Sequence, residues 1–259
     1  VATTDSVTAS AVTGLTATTG KLNIQDLESV IIQATGANTI DTSLMTGVTS
    51  LAYSGATPGT QTVTNLAASG MAIALGSATA EFDAAAELDI TLADSTGSSD
   101  SVTVNVDNRG GADTDAVIDM SGVETLNLAV LDLDTGNNAQ VVLTNADVAT
   151  VNVTAGFAGA VLAMGTLDTL TTTVDTTAYN GDVTFTGANT DGITFNSAAA
   201  TANSAVTLGD GADTATVAST GAVDVDIDGG AGTDVLNLTV TTGFVDAGEI
   251  DGFETINLT

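Results

Sequence analysis

The chain of 259 residues sets 32 Asp and Glu against 2 Lys and Arg, with no His and no Cys, for a formal net charge of −30. Two isolated cations, Lys21 and Arg109, leave no basic footprint for nucleic acid or anionic lipid, and without imidazole or thiolate any metal must be held by oxygen. Charge of this size would favour disorder in a polar chain, but 43% of the residues are hydrophobic and the mean hydropathy is +0.34, enough to bury a core.

With 3% aromatic residues, no Trp, one Pro and 28 Gly, that core is expected in thin layers of small side chains. In chain order, apolar blocks at Leu27–Ile32, Val48–Tyr53, Gly70–Leu75 and Leu88–Leu92 step by roughly 20 residues. Alternating apolar residues follow at Val102/Val104/Val106, Leu126/Leu128/Val130, Val151/Val153, Leu170 to Val174 and Val183/Phe185. The series continues at Ile193/Phe195, Val206/Leu208, Val223/Val225/Ile227, Leu236/Leu238/Val240 and Ile256/Leu258. Period two over a few residues predicts short strands with one buried face, and 48 threonines suit the outward positions. In the second half these strands recur about every 10 to 12 residues, two to a coil.

The fold class expected is therefore all-β, a parallel β-solenoid (β-helix or β-roll) with coils of about 20 residues and Gly/Asp-rich turns. Residues 1–95 form an N-terminal part with weak repeats, and residues 96–259 a more regular part continuous with it. About twelve coils at about 4.8 Å make a rod on the order of 60 Å long. The competing arrangement is an antiparallel sandwich, for which Asn180-Gly181, Asp191-Gly192, Asp210-Gly211 and Asp251-Gly252 supply hairpin dipeptides.

Gly229-Gly230-Ala231-Gly232-Thr233-Asp234-Val235-Leu236-Asn237 fits the nonapeptide G-G-x-G-x-D-x-U-x at every position. Partial copies stand at Gly209-Asp210-Gly211-Ala212-Asp213, Gly187-Ala188-Asn189-Thr190-Asp191, Gly110-Gly111-Ala112-Asp113-Thr114-Asp115 and Gly97-Ser98-Ser99-Asp100, with Asp191, Asp213 and Asp234 about 21 residues apart. This resembles the RTX family, the hemolysin-type calcium-binding repeats of secreted bacterial proteins. The resemblance implies Ca2+ between stacked turns, held by the carboxylates of Asp234 and Asp213 and the carbonyls of Gly230, Gly232, Gly209 and Gly211. Asp191, Asp115, Asp113 and Asp100 are further candidates. Asp224-Val225-Asp226-Ile227-Asp228-Gly229 begins like an EF-hand loop but has Val235 at its twelfth position. Its alternation predicts a strand with outward aspartates, of which Asp228 adjoins the calcium turn.

Ser121-Gly122-Val123-Glu124-Thr125-Leu126-Asn127-Leu128 and Asp251-Gly252-Phe253-Glu254-Thr255-Ile256-Asn257-Leu258 share a second phrase. Together with the RTX-like turns, these phrases resemble bacterial surface-layer (S-layer) proteins. Glu124 and Glu254 read most simply as solvated residues ahead of a strand. The resemblance implies a structural, self-assembling extracellular protein ordered by calcium, a homo-oligomer in a lattice or filament, secreted to the cell surface, with any polysaccharide anchor outside this segment. The alternative is an RTX-type adhesin stalk or biofilm matrix protein. Val1 opens no signal-peptide pattern, so the chain reads as a mature product or a fragment. No apolar run reaches the length of a membrane span, the longest being stretches such as Met71–Leu75 and Ala160–Met164. An enzyme is not expected, because no Ser/His pair can form and carboxylate pairs are too numerous to single one out. An ice-binding face is disfavoured because Thr-x-Thr steps such as Thr184/Thr186, Thr214/Thr216 and Thr239/Thr241 do not recur at a fixed place in every repeat.

Overall fold

The computed structural model describes residues 6–12, 23–54, 59–76, 87–107, 114–131, 138–144, 147–155, 161–179, 181–200, 204–219, 222–223, 226–240, 245–246 and 249–259. Within them the chain winds as a β-solenoid. Strands alternate between two long sheets, one of 12 strands (sheet 1) and one of 10 (sheet 2), and neighbouring strands in both run parallel. Parallel pairing rules out the sandwich, whose hairpins would pair neighbouring strands antiparallel. Each coil places one strand in sheet 1 and the next in sheet 2. Thr194, Thr214, Val235 and Thr255 lie over one another, steps of 20, 21 and 20 residues, whereas Thr125 to Thr150 takes 25 and Ile73 to Val104 takes 31. The longer coils carry their extra residues in the connections, which lengthen at little entropic cost.

One inward column of sheet 1 includes Leu126, Val151, Val174 and Leu236 and the next Leu51, Ile73, Leu128 and Val153, all at most 1% exposed. Residues from the two sheets merge in one hydrophobic cluster, and Phe185 of sheet 2 meets Phe195 of sheet 1 edge-on at 5.4 Å. This single filling of aliphatic side chains is what 43% hydrophobic residues build when every second strand position turns inward. Helical structure among the described residues is one 3-10 turn, Thr42–Leu44, capped by the Asp41 carboxylate on the Ser43 N–H at 2.9 Å.

Some strand boundaries move. The first apolar blocks become strands Ser29–Ala34, Ser50–Ser54, Ala72–Gly76 and Glu87–Leu92. Leu170 to Val174 is corrected: only Thr173–Asp175 is a strand, and Leu170 lies in a turn, 53% exposed. The Asp168 carboxylate accepts the Leu170 N–H at 2.8 Å, so this short polar side chain turns the backbone before the strand begins.

Candidate metal site in the turn column

From the strand Ser101–Asp107 onward, the residue just before each sheet 1 strand occupies a column running along the solenoid. From the strand registers, that column contains Asp100, Glu124, Ala149, Thr172, Ile193, Asp213, Asp234 and Glu254. Where it lacks an acid, the backbone continues its own ladder: the Thr172 N–H donates to the Ala149 carbonyl at 2.9 Å, and the Ala149 N–H to the Glu124 carbonyl at 3.0 Å. Where the following coil supplies an acid, its carboxylate takes over. Asp213 Oδ1 accepts the Ile193 N–H at 2.5 Å, Asp234 Oδ1 the Asp213 N–H at 2.8 Å, and Glu254 Oε2 the Asp234 N–H at 2.7 Å. Glu124 Oε2 accepts the Asp100 N–H in the same way at 2.8 Å.

Each of these carboxylates spends one oxygen on the backbone. The second oxygens of Asp213 and Asp234, and one oxygen of Asp100, are buried and have no hydrogen-bond partner. Asp213 is 1% exposed and Asp234 0%. Burial holds the Asp213 carboxyl above its ordinary value of 3.8, the Ile193 N–H opposes this, and the charges of Asp234 and Asp210 add to it. A buried charge of this kind is costly unless paired, and Lys21 and Arg109 both lie outside the described residues. Two buried carboxylate oxygens, one coil apart and without a hydrogen-bond partner among the described residues, are hard anionic donors of the sort a divalent ion takes. The residues therefore fit a bound dication, with Asp213 and Asp234 to hold it and Glu254 to fix Asp234 in place.

The glycines ahead of this column serve close approach. Gly230 adopts the left-handed region (φ +84°), but Gly209, Gly211 and Gly232 do not. A Cβ on Gly232 would overlap the Gly211 carbonyl oxygen, and one on Gly230 the Gly209 carbonyl oxygen. Successive turns thus rest backbone on backbone. The Gly209 carbonyl, implied as a ligand, accepts the Ala231 N–H at 2.9 Å.

Other sequence candidates fall elsewhere. Asp191 is not the equivalent of Asp213, because Thr194 pairs with Thr214 and places Ile193 in the column. Asp191 is exposed two residues earlier, and Asn189 Oδ1 accepts the Asp191 and Gly192 N–H groups. Asp115 lies within the sheet 2 strand Thr114–Ser121, paired with Gln140, and not in a turn before sheet 1. Asp113 lies outside the described residues. Asp100 does occupy the column, well removed from Asp213. Asp226 and Asp228 are exposed on the strand Asp226–Gly230, as the alternation predicts, and Asp228 Oδ1 accepts the Gly230 N–H at 2.9 Å. Glu124 and Glu254 each stand directly ahead of a strand, Glu254 exposed and Glu124 half-buried, and both also hold backbone N–H groups of the preceding coil, which the sequence reading did not foresee. Aligning Glu254-Thr255-Ile256-Asn257-Leu258 with Asp234-Val235-Leu236-Asn237-Leu238 carries the signal that would have found this.

A second acidic group was not legible in the sequence. On the outer face of sheet 2, oxygens of Glu87, Asp89 and Asp119 lie within 4.8 Å of one another. Asp89 pairs with Asp119 across 30 residues of chain, and Glu87 is two residues before Asp89 on the same face. Burial raises the Asp89 carboxyl above 3.8, the charges of Glu87 and Asp119 raise it further, and the Thr62 hydroxyl opposes them. A groove of about 630 Å³ crosses the same outer face further along, lined among others by Thr184, Thr207, Asp226, Asp228 and Asp251. No family model matches the chain, and neither a curated protein nor a solved structure matches it.

Proposed function

We propose that this chain is a calcium-ordered structural solenoid, a self-assembling subunit of an extracellular surface layer or filament, with no catalytic role. The observation that carries the reading is the pair of buried, unpartnered carboxylate oxygens on Asp213 and Asp234, stacked one coil apart in a chain of charge −30. Supporting it are the nonapeptide Gly229 to Asn237 and the bare glycine turns that bring these coils together. Calcium supplies positive charge when bound. The chain's own part is to aim Asp213 and Asp234 inward, fix them through the Ile193 and Asp213 N–H groups, and exclude water with the packed turns. An adhesin stalk uses the same chemistry and differs in lacking lateral assembly.

Because a coil with uncompensated buried charge is the weakest part of the solenoid, metal binding and folding are coupled. Chelation is expected to reduce the β signal in circular dichroism, lower the melting temperature and shrink any assembly, with calcium restoring all three. Circular dichroism and particle size that do not respond to chelator would refute the reading. Isolated rods by electron microscopy in calcium would favour the stalk.

A further inference from the structure

The two outer faces of the solenoid differ sharply in charge. Inward positions Leu126, Val151, Val174, Phe195 and Leu236 are at most 3% exposed, so the residues on either side of each point out of sheet 1. In register, Thr125, Thr150, Thr173, Thr194 and Thr214 form one outward column, with Val235 and Thr255 continuing it. Thr-x-Thr steps recur at no fixed place, since the residue two on from these threonines is Asn127, Asn152, Asp175, Asn196 or Thr216, but single threonines do align, which unequal coil lengths hid in the sequence.

A second column two residues on contains Asn127, Asn152, Asn196, Asn237 and Asn257. Neighbouring amides lock each other, Asn152 Nδ2 donating to Asn127 Oδ1 at 3.1 Å and Asn257 Nδ2 to Asn237 Oδ1 at 2.9 Å. Ser101 continues the first column, and Thr103, Ala72, Ser50 and Ser29 continue the second. From there to Thr255/Asn257 the sole acid in the two columns is Asp175, whose Oδ1 is taken by the Thr177 N–H and hydroxyl at 2.9 and 2.7 Å. Sheet 2, by contrast, carries Glu87, Asp89, Asp119, Asp226, Asp228 and Asp251 on its strands.

We propose that this face of sheet 1, whose two columns carry Asp175 as their one acid, is where a second copy of the chain docks, sheet on sheet. It rests on the self-assembly part of the function proposed above and is independent of the calcium part. Two molecules each charged to −30 repel wherever their acidic faces meet, and this face is the broad surface where acid is sparse. Parallel strands in register, bearing amide ladders and β-branched columns, form the kind of surface on which paired sheets interdigitate. The same patch on both copies gives a closed, two-fold contact. Eight positions in the first column and eleven in the second, about 4.8 Å apart along the solenoid and about 7 Å across, offer on the order of 600 Å² per copy. That is about 1,200 Å² for the pair, at the lower end of the range of specific interfaces. No aromatic side chain stands in either column to stack on a sugar ring.

The chain has no cysteine, so every thiol can be introduced. Full-length protein with Asn152→Cys or Asn196→Cys on sheet 1, or Thr207→Cys on the outer face of sheet 2, is treated with a short bis-maleimide cross-linker. Covalent dimers are expected from the first two and not from the third. Sedimentation of the cysteine-free protein is expected to show reversible dimers or larger species. The double variant Asn152→Asp with Asn196→Asp is expected to raise the dissociation constant by about tenfold or more with unchanged circular dichroism. A monomer at all concentrations, cross-linking equal to or greater at Thr207→Cys, or an aspartate variant that associates as tightly as the parent would overturn the proposal. So would a monomer that adsorbs to ice or to neutral dextran and loses that affinity in the aspartate variant, because the face would then have another occupant. A sheet 1 dimer whose fold ignores chelator removes the calcium reading alone, a chelator-sensitive assembly that does not cross-link through sheet 1 removes this one alone, and a chelator-sensitive monomer removes self-assembly along with it.

Discussion

The Glu254 carboxylate accepts a backbone N–H, that of Asp234, and so bears on where Asp234 sits. Its Oε2 accepts the Asp234 N–H at 2.7 Å, and Asp234 in turn holds the Asp213 N–H, so the carboxylates are relayed from coil to coil. Neutralising a side chain that supports a ligand commonly costs about 10- to 100-fold in metal affinity. Glu254→Gln keeps an oxygen acceptor and is expected to weaken calcium binding within that range, with Asp234→Asn costing at least as much. Titration calorimetry checks both, and a Glu254→Gln protein with unchanged affinity would mean that the relay does not reach the ion. Asp191 illustrates the limit of residue-level reading. Its spacing imitates that of Asp213, but Asn189 closes the turn instead and leaves Asp191 in solvent.

At the scale of the turn, the glycines follow a contact rule more than a conformational one. Gly232 has no positive φ, but a Cβ there would run into the Gly211 carbonyl oxygen of the coil beneath. Gly165 is the opposite case, with φ +67° and the nearest atom, Val142 Cγ2, 3.8 Å from where a methyl group would stand. Gly232→Ala must push two stacked backbones apart and is expected to cost about 3 kcal/mol or more, whereas Gly165→Ala bears only the left-handed backbone penalty of about 1 to 2 kcal/mol. Chemical denaturation in calcium distinguishes them, and equal losses would count against backbone stacking as the reason for the glycines. The strands were legible from alternation because burial of one face imposes period two. The turns were legible as Gly/Asp runs, but which Asp enters the column depends on pairing register, which the nonapeptide conveys only where the copy is complete.

For the molecule as a whole, pH and calcium should act in opposite directions. The carboxyls of Asp213 and Asp89 are both raised above 3.8 by burial and neighbouring charge. Between 3.8 and those raised values the metal-free fold holds protons that the unfolded chain has released, so its stability falls as pH rises through that window. Growing repulsion among 32 acidic residues works in the same direction. A dication at Asp213 favours the ionised carboxylate instead, so in calcium, stability is expected to rise across the window. Melting temperatures measured with chelator and with calcium, from mildly acidic to neutral pH, test this, and parallel curves would show that no dication engages the buried carboxylates.

By itself the sequence determined an all-β chain of short strands, since alternating apolar residues must bury one face, and its roughly 20-residue recurrence pointed to a solenoid turn, while the parallel pairing that excludes a sandwich was decided by the tertiary structure. The sequence also marked Asp213 and Asp234, because a glycine turn followed by an acid is a local pattern. Tertiary structure alone decided which side chains meet across coils. Glu254 beneath Asp234, Asp89 beside Asp119 and the threonine and asparagine columns join residues 20 to 30 positions apart. The steps between those positions change from coil to coil, and only the hydrogen-bond register of the finished sheets counts them correctly.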